Sequence, residues 1–161
     1  MVVIYSQLDS QEKTYRNLQE AIWDAPAGDV IQLGAMTLSG AGNRDLGMGD
    51  RPITLNGDGA LRTILDCQGI GQGFVIDGSY APAASVMVSG FTVRNCFADT
   101  AIRGGNGGGI YAKSASLTLT AINIENCRAE VSNEYCQCVA AVLDTTNGLR
   151  AFRSCAGLAC T

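Results

Sequence analysis

The chain has 161 residues, a formal net charge of −4 and only 16% charged residues. Its length corresponds to one domain. The acidic balance argues against a nucleic-acid surface, because phosphate contacts need clustered lysine and arginine. The sequence has no apolar run long enough for a transmembrane helix, so we expect no membrane insertion. Twenty glycines against three prolines indicate many tight turns rather than disorder.

The N-terminal part predicts a strand followed by a helix. Residues 2–5 (VVIY) are typical of a short strand, and residues 10–25 have the apolar spacing of an amphipathic helix. Thr14 is the predicted N-cap, and Pro26 and Gly28 end the helix. We expect its apolar face to cover the open end of the structure that follows. The apolar positions are Leu18, Ala21, Ile22 and Ala25.

From residue 29 onward the helical period is replaced by short strands rich in β-branched residues. Turns rich in Gly, Ser, Asn and Asp separate them. The predicted strands lie at residues 29–33, 36–38, 52–56, 63–67, 74–77, 86–88, 91–96, 109–112, 117–119 and 122–127.

A repeat is visible in four cysteines that end similar runs: Cys67, Cys96, Cys127 and Cys155. By subtraction, their spacings are 29, 31 and 28 residues. A period of this size indicates a repeat architecture. With short strands and many glycines, each repeat predicts one coil of a parallel β-helix, and the chain has room for about four to five coils.

The run GGGIY at residues 107–111, followed by LTLT and INIENC, resembles the right-handed parallel β-helix repeats of the pectate-lyase-like superfamily. It is most similar to the GGA[ILV] and FxxN repeats of polymorphic outer-membrane proteins. Residues 91–95 and 122–126 resemble the second motif, with one extra residue between the apolar and asparagine positions. The resemblance covers roughly residues 15–127. It implies a single all-β domain over residues 1–161. Residues 1–28 would be a strand and capping helix, residues 29–127 regular coils, and residues 128–161 a divergent last coil. Such motifs say little about activity.

The repeated asparagines and cysteines are predicted to be structural. Asn95 and Asn126 would occupy one turn, where side-chain amides bond along the stack. The cysteine column allows buried thiols, one or more disulfides between coils, or, least favoured, a metal site. Three cysteines outside the column are the better disulfide candidates in an oxidising compartment. These are Cys136, Cys138 and Cys160.

No catalytic constellation is present in the sequence. The absence of histidine excludes Ser-His and Cys-His schemes, and we expect no cofactor and no metal. Arg94 and Glu125 occupy equivalent places in successive repeats, which predicts an ion pair across the stack, with Arg153 extending the row.

Two functions remain open. The first is a non-enzymatic structural or adhesive module of a cell surface or extracellular filament, whose partners are other copies or neighbouring surface proteins. The second is a carbohydrate-binding or lyase-type β-helix, with Tyr80, Phe97 and Tyr111 as a platform for sugar rings. Either fits an extracellular or cell-surface location. No signal peptide is visible, so we expect a mature or partial chain.

Overall fold

The computed structural model describes residues 2–78, 85–99, 101, 107–113, 115–131, 134–136 and 140–143. These residues form strands and one short helix, α1 (Leu18–Asp24), so the all-β prediction is confirmed. The strands are β1 (Val2–Ser6), β2 (Gln11–Tyr15), β3 (Val30–Leu33), β4 (Met36–Ser39), β5 (Leu46–Gly47), β6 (Ile53–Asn56), β7 (Thr63–Asp66), β8 (Phe74–Asp77), β9 (Ser85–Arg94), β10 (Phe97–Ala98), β11 (Ile110–Lys113), β12 (Ser116–Glu125), β13 (Arg128–Val131), β14 (Glu134–Cys136) and β15 (Ala140–Leu143).

The N-terminus is an antiparallel hairpin. β1 and β2 pair from Val2↔Tyr15 to Ser6↔Gln11, and β1 also pairs antiparallel with β3. The prediction of one helix over residues 10–25 is therefore wrong in its first half. β1 alternates buried and exposed residues and offers its edge to β2. Backbone hydrogen bonds to that edge outweigh the weak helical preference of the segment.

Helix α1 begins where a capping side chain is available. Asn17, not the predicted Thr14, is the N-cap: its Oδ1 accepts a hydrogen bond from the Glu20 amide at 2.9 Å. Glu20 Oε2 in turn accepts a hydrogen bond from the Arg16 amide at 3.1 Å. This reciprocal arrangement resembles a capping box and satisfies donors that the first turn leaves unpaired.

The helix packs against the loops on either side of β5. Leu18 is completely buried, and its amide donates to Asn43 Oδ1 at 2.8 Å. The Gln19 side-chain amide bonds both backbone groups of Gly47, at 2.7 and 2.9 Å. Arg51 donates to the Ile22 carbonyl at 2.7 Å. These contacts hold the apolar face of α1 over the core.

A buried carboxylate fixes the hairpin turn. Asp29 is 1% exposed and accepts hydrogen bonds from Ser6 Oγ at 2.7 Å, the Leu8 amide at 3.1 Å and the Val30 amide at 2.8 Å. A buried carboxylate needs such donors in place of water. The Asp29 side chain therefore joins the β1–β2 turn to the start of β3.

Most other pairings are parallel. β3 pairs with β6, β6 with the first half of β9, and β9 with β12. β4 pairs with β7, and β7 pairs with the second half of β9. The predicted strands 86–88 and 91–96 are thus joined in β9, which bends at Gly90 with a φ of 70°. Ala121 takes the same left-handed conformation in β12, with a φ of 51°.

Two further sheets complete the described structure. β5, β8, β11 and β15 form a parallel sheet. β10 pairs parallel with β13, and β13 pairs antiparallel with β14. Antiparallel pairs therefore occur in two of the three sheets, and the β5–β8–β11–β15 sheet is parallel throughout. Inward residues form columns across registered strands, for example Ile31, Leu55, Val88 and Leu119.

Candidate functional site

A row of charged residues crosses three registered strands. Asp66, Arg94 and Glu125 are successive register partners on β7, β9 and β12. Arg94 Nε lies 2.8 Å from Asp66 Oδ2, so the ion pair runs to Asp66 and the prediction of an Arg94–Glu125 pair is wrong. The structure describes no ion pair for the exposed Glu125. Arg153 lies outside the described residues.

Beside this row runs a ladder of side-chain amides. Asn126 Nδ2 donates to Asn95 Oδ1 at 2.8 Å, and Asn95 Nδ2 donates to Asp66 Oδ1 at 3.0 Å. Asn95 and Asn126 have φ values of 54° and 49°. Asparagine tolerates this left-handed region better than most residues. The two asparagines thus turn the chain and connect neighbouring strands.

Asp66 is the acceptor at the end of the ladder. Burial raises the pKa of its carboxyl, but hydrogen bonds from Asn95 and the Gln68 amide, together with Arg94, outweigh burial and hold the pKa below its ordinary value. The carboxylate is therefore fully ionised near neutral pH. Its role in this geometry is to hold Arg94 and Asn95.

The cysteine column contains one disulfide and one thiol among the described side chains. Cys67 and Cys96 are bonded, with their Cα atoms 4.8 Å apart. Cys127 is free and buried. The carbonyl oxygens of Val93, at 3.6 Å, and Glu125, at 3.4 Å, are both within reach of its single S–H donor. Burial raises the pKa of the Cys127 thiol to about 11, so the thiol stays neutral at neutral pH.

The predictions for the other four cysteines, one in the column and three as separate disulfide candidates, are not tested by the described residues. Cys136 ends β14, and its side chain lies outside the described part of the structure. Cys138, Cys155 and Cys160 lie outside the described residues. Within the described part, no group of three or more Cys, Asp or Glu side chains is arranged to hold a metal ion.

The described part of the glycine cluster allows close backbone packing. A Cβ atom on Gly108 would lie 2.2 Å from the Arg128 carbonyl oxygen, far inside contact distance. Gly107 has a φ of 69°, a conformation that glycine adopts at little cost. The glycines therefore let the chain before β11 pass against β13.

Of the three aromatic residues predicted as a sugar platform, the structure describes two, Tyr111 and Phe97. Tyr111 lies in β11 and is only 6% exposed. Phe97 is half-buried, and the Arg128 guanidinium lies 5.1 Å from its ring centroid. Tyr80 lies outside the described residues. The ring face of Tyr111 is therefore not presented to solvent.

A groove that the sequence does not predict lies over the N-terminal hairpin. It has a volume of about 400 Å³, and Tyr5, 42% exposed, is on its wall. Glu12, the register partner of Tyr5, and Gln32 and Asp58 supply polar groups. The sequence does not indicate this groove, because Glu12 lies beside Tyr5 only when β1 and β2 pair as a hairpin. The apolar spacing of residues 10–25 predicts a helix there instead.

The chain was compared with known proteins at the level of families, single sequences and solved structures. No protein family, no curated protein sequence and no solved structure is detectably similar to this chain. Among the described residues, no helix has the length and apolar character needed to span a membrane.

Proposed function

We propose that the chain is a non-enzymatic structural module built as a right-handed parallel β-helix, of the kind its repeats resemble. Parallel pairing of β3, β6, β9 and β12, and of β5, β8, β11 and β15, supports successive coils. Right-handed crossovers are strongly preferred between parallel strands. α1 and the hairpin would cap the first coil.

The observation that carries this proposal is that polar side chains of neighbouring, registered strands bond to one another. Arg94, Asp66, Asn95 and Asn126 bond to one another across strands, and Cys67 and Cys96 are joined covalently. Arginine, aspartate, asparagine and cysteine often act in catalysis. In this structure they connect neighbouring strands. The Asp66 carboxylate is a weak base, because hydrogen bonds lower its pKa and occupy both of its oxygens.

The proposed setting is a cell surface or an extracellular filament, with other copies or neighbouring surface proteins as partners. Disulfides persist in oxidising compartments, so the Cys67–Cys96 bond supports this setting. The low fraction of charged residues, 16%, fits a surface that associates with others of its kind.

Light scattering and electron microscopy of the purified full chain test this proposal. We expect a mass above 16.8 kDa or regular fibres at high protein concentration. A monodisperse monomer that cleaves polysaccharides in a screen with Ca²⁺ present would contradict it.

The groove beside Tyr5 favours glycan binding as a second candidate function. An exposed aromatic ring beside carboxylate and amide groups is a suitable surface for a sugar ring. The test is retention on immobilised polysaccharides, with Tyr5→Ala expected to abolish it. Trp23→Ala is the matched control, because Trp23 is 68% exposed and does not line the groove. Equal retention by both variants would exclude this site.

A further inference from the structure

Three cysteines lie in a row at the ends of three registered strands. Cys67 directly follows β7, Cys96 lies just after β9, and Cys127 lies just after β12. β7 and β12 pair with the same half of β9, one on each of its edges. All three side chains are buried, with exposed fractions of 0%, 1% and 4%. Cys96 is therefore the middle member of the row, with one cysteine on either side.

The strand register places Cys127 directly beside Cys96. Two register pairs at an offset of 31 residues (125 − 94 and 128 − 97) flank the two cysteines, namely Arg94↔Glu125 and Phe97↔Arg128. Neighbouring strands lie about 4.7–4.9 Å apart, and a disulfide joins Cα atoms roughly 4.4–6.8 Å apart. On its other side, Cys96 is bonded to Cys67 across a Cα separation of 4.8 Å. Cys96 therefore has two neighbours within the range of a disulfide.

The sulfur atoms of Cys96 and Cys127 have the same orientation relative to their own chain segments. Cys96 Sγ lies 3.4 Å from the carbonyl oxygen of Arg94, and Cys127 Sγ lies 3.4 Å from that of Glu125, in each case two residues earlier. Cys127 Sγ also lies 3.6 Å from the Val93 carbonyl oxygen on β9. The free thiol is therefore turned towards the segment that carries Cys96.

We propose that Cys96 is the shared member of an internal thiol–disulfide exchange, in which Cys127 displaces Cys67 and the bond moves from Cys67–Cys96 to Cys96–Cys127. The Cys127 thiol loses its proton, and the thiolate attacks the Cys96 sulfur. The new sulfur–sulfur bond forms as the old one breaks, and Cys67 leaves as a thiolate that takes up a proton. Two cysteines stay oxidised and one stays reduced, so the exchange needs no external oxidant or reductant.

Chain entropy does not favour one bond over the other. The existing bond has a sequence separation of 29 residues, and the alternative bond has one of 31 (127 − 96). For loops of these lengths, the loop-closure entropy changes the equilibrium between the two bonds only about 1.1-fold. Burial does not distinguish Cys67 from Cys127 either, because both are almost completely buried. We therefore expect both disulfides in one preparation, with Cys67–Cys96 as the major form.

The environment of Cys127 makes the exchange slow. Burial raises the pKa of its thiol to about 11, and the carboxylates of Asp66 and Glu125 also raise it. Only the thiolate attacks a disulfide, and a thiol with this pKa is ionised in about one molecule in 10⁴ at pH 7. Uncatalysed disulfide rearrangement takes minutes to hours. The two forms should therefore be compared after a long incubation.

The test is disulfide mapping of the wild-type full chain. Oxidised protein is incubated for a day without added thiol and then unfolded in N-ethylmaleimide, which blocks free thiols. Trypsin cleaves between the three cysteines, for example after Arg94 and Lys113, so mass spectrometry identifies each linked pair. We expect two products: Cys67–Cys96 with blocked Cys127, and Cys96–Cys127 with blocked Cys67.

Other linkage patterns would overturn the proposal. Cys67–Cys96 as the single product of the row would mean that Cys127 does not attack it. A link from Cys127 to one of the four later cysteines would mean that the free thiol has another partner. A Cys67–Cys127 link would contradict the order of the row. Loss of every link in the row would contradict the register of β7, β9 and β12 itself.

Two matched variants separate exchange from incomplete oxidation. Cys127→Ser removes the attacking thiol, so the blocked Cys67 seen in the wild type should be lost. Cys67→Ser leaves Cys127 as the neighbour of Cys96 in the row, so the Cys96–Cys127 bond should form. Blocked Cys67 at the wild-type level in Cys127→Ser, or no Cys96–Cys127 bond in Cys67→Ser, would contradict the exchange. The exchange depends only on the strand register, so its failure would not affect the assembly measured by light scattering.

Discussion

The two ends of the series of registered strands differ in the elements that are described as covering them. At the N-terminal end, β1 pairs with β3 in the antiparallel direction, α1 packs against the loops around β5, and buried Asp29 fixes the hairpin turn. At the other end, β12 has one described neighbour and an inward row that is only partly buried. A parallel stack has no intrinsic stopping point, so an end is closed only where the sequence supplies an element of another kind.

Removal of the Cys67–Cys96 disulfide is expected to have the largest effect, because the bond joins the middle of the stack. Replacing both cysteines by alanine should lower the free energy of unfolding by about 3–4 kcal/mol, since the bond closes a loop of 29 residues. Urea denaturation of the oxidised protein measures the loss, with the Cys160→Ala variant as control. A loss below about 1 kcal/mol would mean that the bond does not constrain the unfolded chain.

One column permits a direct comparison of the two ends. Leu55 is completely buried and Leu119, in the same column, is half-buried. Leu55→Ala should cost about 3 kcal/mol and Leu119→Ala about half as much, because Leu119 is less buried and its truncation removes less apolar contact. Urea denaturation of both variants measures the difference. Equal losses would show that both ends of the column are equally covered, which would remove the contrast.

Acid should weaken the polar ladder. The folded-state pKa of Asp66 lies below the ordinary value of about 3.9. Its stabilisation is therefore present above the unfolded pKa and is lost as the pH falls through the folded pKa. At neutral pH, Asp66→Asn should cost about 1–2 kcal/mol.

The pH dependence of unfolding separates this effect from general acid denaturation. The gap in unfolding free energy between the wild type and Asp66→Asn should be constant above pH of about 5 and should shrink below about 4. Asp50→Asn, at an exposed position, should leave the profile nearly unchanged. A gap between wild type and Asp66→Asn that does not change with pH would show that ionisation of Asp66 contributes nothing.

The helix cap is expected to give the smallest effect. Asn17→Ala should cost about 1 kcal/mol, because the Glu20 amide loses its acceptor. Thr14 lies in β2, so Thr14→Ala should not act through the helix start. Thermal unfolding followed by circular dichroism compares the two variants. A larger loss of thermal stability for Thr14→Ala than for Asn17→Ala would indicate that the helix begins at Thr14, as the sequence predicts.

The strands and the repeated columns could be predicted because their signals are local. Alternation around residues 63–67 and 91–96, and the recurrence of asparagine and cysteine, needed no knowledge of the fold. The structure places Asn95 and Asn126 in one hydrogen-bonded ladder and puts a disulfide in the cysteine column. The sequence left three states open for that column, since the spacing of cysteines does not determine which thiols meet.

Other features depended on tertiary contacts. Residues 11–15 became a strand because β1 offered an edge, and this pairing also creates the groove beside Tyr5. Arg94 lies between two acidic register partners. The repeat predicted its pairing with Glu125 and left Asp66 out, because repeat spacing does not determine which acidic neighbour is bonded. Tyr111 lies in a strand that the sequence predicts, but its burial depends on β8 and β15, which pair with that strand on both sides.

The most direct test of the stacked-strand architecture is nuclear Overhauser spectroscopy of Val88 in isotope-labelled full chain. Val88 is registered with Leu55 on one side and Leu119 on the other, in parallel strands. The architecture predicts backbone proton contacts from Val88 to both neighbourhoods in the pattern of parallel pairing. Contacts in an antiparallel pattern, or contacts to only one of the two strands, would contradict it.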